Sequence, residues 1–237
     1  MSEAEHALGQ TRAPTTIYRL GRGPDPWAWP DWAFAKPDNT FGNRWDDPEG
    51  TYRVLYGCSQ RLGVFIETLA RFRPDAAIIA TLDAIVDEPA DDDPVALRPG
   101  EVPRSWLNNR RIGEGSVDGD FVDVGHSATL AWLHRRMALR LVHYGLTELD
   151  AAVVRSAAPR RLTQEISRTI YELNAGARRR YAGIAYRSRL GDEFENWAVF
   201  EPAELWSRLP RNLLADDGDL ATALERLGLT LVDDEPQ

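Results

Sequence analysis

Within residues 42–74, GNRWDDPEGTYRVLYGCSQRLGVFIETLARFRP, three successive short elements supply an arginine, an aromatic ring and a carboxylate. Arg44 falls on a Gly/Asn turn, Tyr56 at the end of a strand-like run, and Glu67 beside the apolar stripe of a helical one. A guanidinium offers a planar fork to oxyanions, a ring offers a stacking surface, and a carboxylate stabilises positive charge. Together they suit a ligand that is anionic, planar and cleavable. Arg19 and Ser188 join the set because each lies within or just beyond an expected strand, and no single salt bridge accounts for all five residues. The plain alternative for Glu67 is a surface pair with Arg71, four residues on along a helix.

The elements that must hold these residues are mixed. Thr16–Leu20, Tyr52–Tyr56, Ala77–Leu82, Gly183–Ser188 and Trp197–Phe200 are short, rich in β-branched or aromatic residues and bounded by Gly, Pro or Asp, so they read as strands. Leu62, Phe65, Ile66 and Leu69 recur at helical spacing after Ser59, the expected N-cap. Further helices are expected over Ser127–His143, with Ser127 as cap, and over Thr147–Arg155, Thr163–Leu173 and Leu220–Leu227, before a short strand at Leu229–Val232.

Several familiar chemistries are absent. Gly57-Cys58-Ser59-Gln60-Arg61 has Arg61 where a nucleophile elbow needs its second glycine. There is no Gly-x-Gly-x-x-Gly after a strand and no Walker loop, so a nucleotide would be held by side chains. His6, His126, His134 and His143 lack metal-ligand spacing, and no metal is expected. Cys58, the only cysteine, reads as a buried thiol and permits no internal disulfide.

The 237 residues suit one large domain, and a net charge of -9 argues against a nucleic-acid binder acting through its whole surface. The polar, acidic start and the short apolar runs lead us to expect a cytoplasmic protein without a membrane span. Lys36 is the only lysine among 28 basic residues, so arginine is the default cation here. Arg155–Arg189 holds nine arginines against Glu165 and Glu172, and Leu162–Ile170 resembles the first helix of a helix-turn-helix. The strand-like GIAYRS that follows, where a recognition helix belongs, favours a core helix with exposed arginines over DNA binding. Asp83–Asp93, with six acids and no base, reads as a solvated loop. The segment GPDPWAWPDWAF, residues 23–34, cannot be a regular helix, yet its three tryptophans are too apolar for a free linker; it is expected to fold over the core or over a site.

Read in order, the Tyr18-Arg19 pair, GNRWDDPEG with YRVLYGCS, FIETLARF, GIAYRS and NWAVFE resemble the RES domain family, over roughly Ile17 to Glu201. The family takes its name from an arginine, a glutamate and a serine. By that resemblance Glu67 takes the glutamate position, Ser188 the serine, Arg19 and Arg44 the arginines, and Tyr56 the aromatic after the second strand. The turn departs from the family pattern in placing Asn43 between Gly42 and Arg44.

The resemblance implies an α+β fold with an ADP-ribosyltransferase-like mixed sheet core and flanking helices. Residues 15–205 would form the catalytic domain, with the Trp/Pro-rich insertion near 23–34 and an acidic loop near 83–125, followed by a C-terminal helical extension over 206–237. The implied activity is degradation of NAD in a bacterial toxin-antitoxin pair. NAD would be substrate, with no cofactor beyond possible inorganic phosphate as co-substrate, and a cognate antitoxin would be the partner. A lone carboxylate is consistent with this, because nicotinamide leaves as a neutral molecule and needs no general acid, unlike the leaving group of an ordinary glycoside. Glu67 would stabilise the oxocarbenium-like transition state, Arg19 and Arg44 would hold pyrophosphate or phosphate, Tyr56 would stack on nicotinamide, and Ser188 would hydrogen-bond a ribose or phosphate oxygen. Transfer of ADP-ribose to a macromolecule is the alternative enzyme reading. The tryptophans of residues 23–34 would serve as a lid or as a homo-oligomer interface.

Overall fold

The computed structural model describes residues 8–75, 99–156, 159–174, 180–207 and 210–234. The expected strand Ala77–Leu82 and the acidic stretch Asp83–Asp93 lie outside them. Eleven strands are described: β1 (Gln10–Arg12), β2 (Ile17–Arg22), β3 (Val54–Cys58), β4 (Glu101–Pro103), β5 (Arg110–Val117), β6 (Asp120–Asp123), β7 (Gly183–Arg187), β8 (Glu195–Phe200), β9 (Leu205–Ser207), β10 (Arg211–Asn212) and β11 (Thr230–Val232). The main sheet runs β1-β6-β7-β8-β3-β2-β5-β10, with β9 also on β5, and β11 pairs with β4 separately. Within the main sheet β6 and β7 are parallel and the other pairs antiparallel, so the sheet is mixed and the α+β expectation holds.

The pleat of the central strands sorts their side chains. Val54 and Tyr56 on β3, Ile184 and Tyr186 on β7, and Ala198 and Phe200 on β8 share one face, while Leu55, Ala185, Trp197 and Val199 share the other. Two helical layers cover the first face. Helices α3 (Ser127–Arg136), α4 (Ala138–His143), α5 (Ala151–Arg155) and α6 (Arg160–Tyr171) bury Leu133, Leu141, Val154, Ile166 and Ile170 against one half. On the other half, α1 (Arg61–Leu69), the short α2 (Ser105–Asn108) and α7 (Gly218–Leu227) enclose Leu20, Phe65, Leu107 and Leu220.

The second face is covered by the tryptophan-rich segment. Trp27 is buried against Ile17, Leu55 and Trp197, while Trp32 lies 5.3 Å from the Phe41 ring, with Arg53 at 5.5 Å over it. This segment therefore covers the core. Strand β5 shows how: a Cβ at Gly113 would fall 2.5 Å from Trp27 Nε1, and one at Gly115 3.0 Å from Trp27 Cε2. These glycines clear the seat for the indole. They also disguise the strand, because RRIGEGSV has neither the alternation nor the β-branched content that marks one.

The expected loop near 83–125 is thus corrected from residue 99 on, where β4, α2, β5 and β6 lie. The expected C-terminal extension over 206–237 is also no appendage. β10 joins the main sheet, β11 pairs with β4, and α7 packs on α1. Arg61 on α1 pairs with Asp217 and, at 2.5 Å, with Asp219, while the Asp217 carboxylate caps α7 through the Asp219 and Leu220 amides.

Other boundaries moved for local reasons. Ser59 does not cap α1: its hydroxyl donates to Glu195 and accepts from the Trp197 indole at 2.8 Å, so the cap position passes to Gln60. The Ser127–His143 helix divides at the buried Met137 (φ -108°, ψ 13°), and its cap is His126, whose Nδ1 accepts from the Ala128 amide. The helix expected from Thr147 begins at Ala151 behind the Asp150 cap. In α6, Leu162, Ile166 and Ile170 are buried, and the segment that should hold a recognition helix contains β7. The core-helix reading holds there.

Gly113→Ala should destabilise the protein by about 1–3 kcal/mol through overpacking against Trp27 and Pro26. Equilibrium urea denaturation checks this, with a lowered midpoint at unchanged slope as the expected outcome.

Candidate active site

Between the two helical layers, on their shared face of the sheet, a cavity of about 540 Å³ opens. β2 and β3 contribute Arg19 and Tyr56, α1 contributes Glu67, the turn before β3 contributes Arg44, and β7 and β8 contribute Tyr186 and Asn196. Four of the five expected site residues therefore meet on one wall system. The fifth, Ser188, is 1% exposed and is not among the lining residues. Its Oγ accepts from the Leu190 amide at 2.9 Å and its own amide donates to Phe194 O, so it shapes the turn that carries Arg189 and Leu190 into the cavity.

The Arg44 turn is built before the guanidinium is placed. Gly42 adopts φ +96°, in the region that favours glycine. The Asp46 carboxylate accepts from the Asn43 amide at 2.6 Å and from the Tyr56 hydroxyl at 2.7 Å, and that hydroxyl accepts from the Trp45 amide at 3.0 Å. Trp45 is fully buried, with its carbonyl held by Ser167, and Asn43 O accepts from Gln164. Asn43, which stands between Gly42 and Arg44, is thus tied at both its amide and its carbonyl. Burial raises the Asp46 carboxyl above the ordinary aspartate value, and the hydrogen bonds from Tyr56 and Asn43 oppose that rise.

Arg44 itself donates to Val154 O and lies between two rings, 5.0 Å from Trp45 and 5.2 Å from Tyr186. Burial lowers its pKa, while Tyr186 and Glu67 act in the opposite sense. Arg19 donates from Nε to Pro26 O at 2.6 Å and from Nη1 to Tyr56 O at 2.7 Å, and burial brings it down to about 10, so it stays charged at neutral pH. The tryptophan-rich segment thus reaches the site from behind, by supplying the Pro26 carbonyl. Glu67 accepts from Asn196 Nδ2 at 2.8 Å, and this contact replaces the ion pair with Arg71 as its partner among the described residues.

Sequence reasoning missed Asn196, Tyr186, Arg160 and Arg189 as lining residues. Asn196 and Tyr186 lie inside the quoted NWAVFE and GIAYRS stretches and are Cα partners across β7 and β8. Their face follows from the burial of Trp197 and Ala185 on the other side. Arg160 and Arg189 belong to the basic stretch weighed for DNA binding; part of that charge faces the cavity. Among the described residues Arg19, Arg44, Arg71, Arg160 and Arg189 line it against one carboxylate, Glu67. Cys58 also lines the wall, but burial pushes its thiol up to about 12, which removes it as a nucleophile. No cluster of potential metal ligands occurs among the described residues, and no described helix is long and apolar enough to cross a membrane.

The chain matches no protein-family model and no curated protein. Its fold has a solved counterpart. A chain of the M. tuberculosis MbcT-MbcA toxin-antitoxin complex superposes with a TM-score of 0.54 at 14% identity, covering 95% of this chain and 96% of that one. At that identity the likeness is one of fold, and it extends over nearly the whole of both chains.

Tyr56→Phe removes the bridge between β3 and the Arg44 turn and leaves Asp46 short of a donor, so it should cost about 1.5–3 kcal/mol. An acid with a raised folded pKa loses stability as pH rises past its ordinary value, 3.8 for Asp46, and Tyr56 opposes that rise. The penalty should therefore be larger near neutrality than near pH ~4. Tyr186→Phe removes a hydroxyl with no partner among the described residues and should change stability by less than about 0.5 kcal/mol. Thermal unfolding of both variants at the two pH values checks the contrast.

Proposed function

We propose that this chain cleaves the bond between nicotinamide and ribose in NAD and transfers the ADP-ribosyl group to phosphate or water. The observation that carries this reading is the composition of the cavity: among the described residues, five guanidiniums and two tyrosines surround a single carboxylate. A dinucleotide brings the matching features, a pyrophosphate for the arginines, a planar ring for the aromatic wall, and a glycosidic bond whose cleavage requires stabilised positive charge but no proton donor.

In this reading Glu67, oriented by Asn196, holds the nicotinamide ribose and stabilises the oxocarbenium character of the transition state. Arg44 and Arg19 bind the pyrophosphate. Their carbonyl partners Val154, Pro26 and Tyr56 fix the forks before a ligand arrives, and such preorganisation avoids reorganisation during the reaction. Tyr186, stacked on Arg44 and carrying a hydroxyl without a partner among the described residues, takes the ring-facing role expected of Tyr56. Tyr56 holds the turn instead. Ser188 acts as a positioning residue for Arg189. The arginines exceed what a bridging pyrophosphate neutralises, and this surplus favours inorganic phosphate over water as acceptor.

Degradation of NAD would harm the cell that makes the enzyme, so a restraining partner follows. The fold shared with a chain of a toxin-antitoxin complex supports a toxin role and a cognate antitoxin.

Glu67→Gln should lower nicotinamide release from NAD by on the order of 10²–10³-fold while leaving the thermal midpoint close to that of the parent. Chromatographic quantification of nicotinamide and of the sugar product, with and without phosphate, separates ADP-ribose 1″-phosphate from ADP-ribose. Folded protein that consumes no NAD under either condition would refute the assignment. Labelled ADP-ribose appearing on a macromolecule would replace it with a transferase.

A further inference from the structure

Arg71 carries the basic lining beyond Glu67, and more positive charge lies past it. On β2 and β5, Leu20 and Ile112 are Cα partners inside the apolar cluster beneath α1; two residues further along the same face, Arg22 and Arg110 are Cα partners. Like charges opposed across an antiparallel pair are unfavourable. Arg71 adds a third charge.

Packing holds the three where they are. Arg110 lies 4.3 Å over Trp106 and donates to Trp106 O at 3.1 Å, and Arg71 lies 4.7 Å over Phe72. Phe72 and Trp106 meet edge to face at 6.1 Å, and Arg22 rests 5.6 Å over Phe34. Burial, then Arg71 and Arg22, bring Arg110 down to about 10; burial, then Arg22, lower Arg71. Elsewhere Arg53 pairs with Glu201 and Arg61 with Asp217, but none of these three meets a carboxylate among the described residues. Among the described residues the cluster has aromatic floors and no counter-charge.

We propose that Arg22, Arg71 and Arg110 form a second oxyanion subsite, joined to the cavity through Arg71, that takes a phosphate group, either free inorganic phosphate or a phosphomonoester of the nucleotide in the cavity. A phosphate has enough acceptor oxygens for three guanidiniums and offsets their repulsion. The subsite does not depend on cleavage of NAD.

Binding is therefore measured on the full chain carrying Glu67→Gln, with and without Arg22→Gln and Arg110→Gln, by calorimetric titration of inorganic phosphate, AMP and adenosine 2′,5′-bisphosphate. The arginine substitutions should weaken phosphate, or the bisphosphate relative to AMP, by about tenfold, the scale of one charge-assisted hydrogen bond. An effect on inorganic phosphate alone assigns the free ion; an effect on the bisphosphate but not on AMP assigns a substrate phosphomonoester. Affinities for all three probes that are the same with and without the arginine substitutions would overturn the subsite. A second readout guards against misfolding. In phosphate-free, low-salt buffer, removing two of three repelling charges should raise the unfolding midpoint, and phosphate should then stabilise the parent more than the variant. A variant that melts lower and gains as much from phosphate as its parent would also overturn the proposal.

Discussion

The site depends on one hydroxyl. Tyr56 OH accepts from the Trp45 amide and donates to the buried Asp46 carboxylate, and through that pair it fastens the turn carrying Arg44 to the central strand of the sheet. Desolvating a guanidinium costs less where its geometry is imposed and its donors are met. The turn imposes the geometry for Arg44, the Val154 carbonyl meets one donor, and the Trp45 and Tyr186 rings replace water on its faces, while its buried Nε has no partner among the described residues.

Arg19 obeys the same requirement from β2. Its acceptors are main-chain carbonyls, Tyr56 O within the sheet and Pro26 O in the segment that seats Trp27 over Gly113 and Gly115. The tryptophan cover and the cavity are therefore one mechanical unit. Packing of Trp27 sets where Pro26 lies, and Pro26 sets where the guanidinium points. Glu67 is reached by a different route, since α1 is held through Arg61 to the cap of α7, and Asn196 on β8 orients the carboxylate.

Much of this was legible in the chain because it is locally encoded. Apolar spacing revealed α1, α6 and α7, β-branched and aromatic runs revealed β2, β3, β7 and β8, and the order of short motifs pointed to a mixed sheet with helices around it. β5 was illegible for a definite reason: its glycines Gly113 and Gly115 answer to an indole 86 and 88 residues earlier in the chain, so its composition reflects a tertiary contact. Ser59 misled as a cap because its hydroxyl serves Glu195 and Trp197 on β8. The C-terminal segment read as an appendage because its partners, α1, β4 and β5, lie more than 90 residues away.

What the sequence by itself determined was the candidate set Arg19, Arg44, Tyr56 and Glu67, which line one cavity, and the elements that carry them, since residue type and periodicity are local properties. Tertiary structure alone decided their tasks. It turned Tyr56 from a stacking ring into the tether of a turn, moved Ser188 behind the wall, and brought Tyr186, Asn196, Arg160 and Arg189 to the cavity. A side chain's role depends on which groups satisfy it and which face of the sheet it occupies, and both are settled only when distant strands come into register.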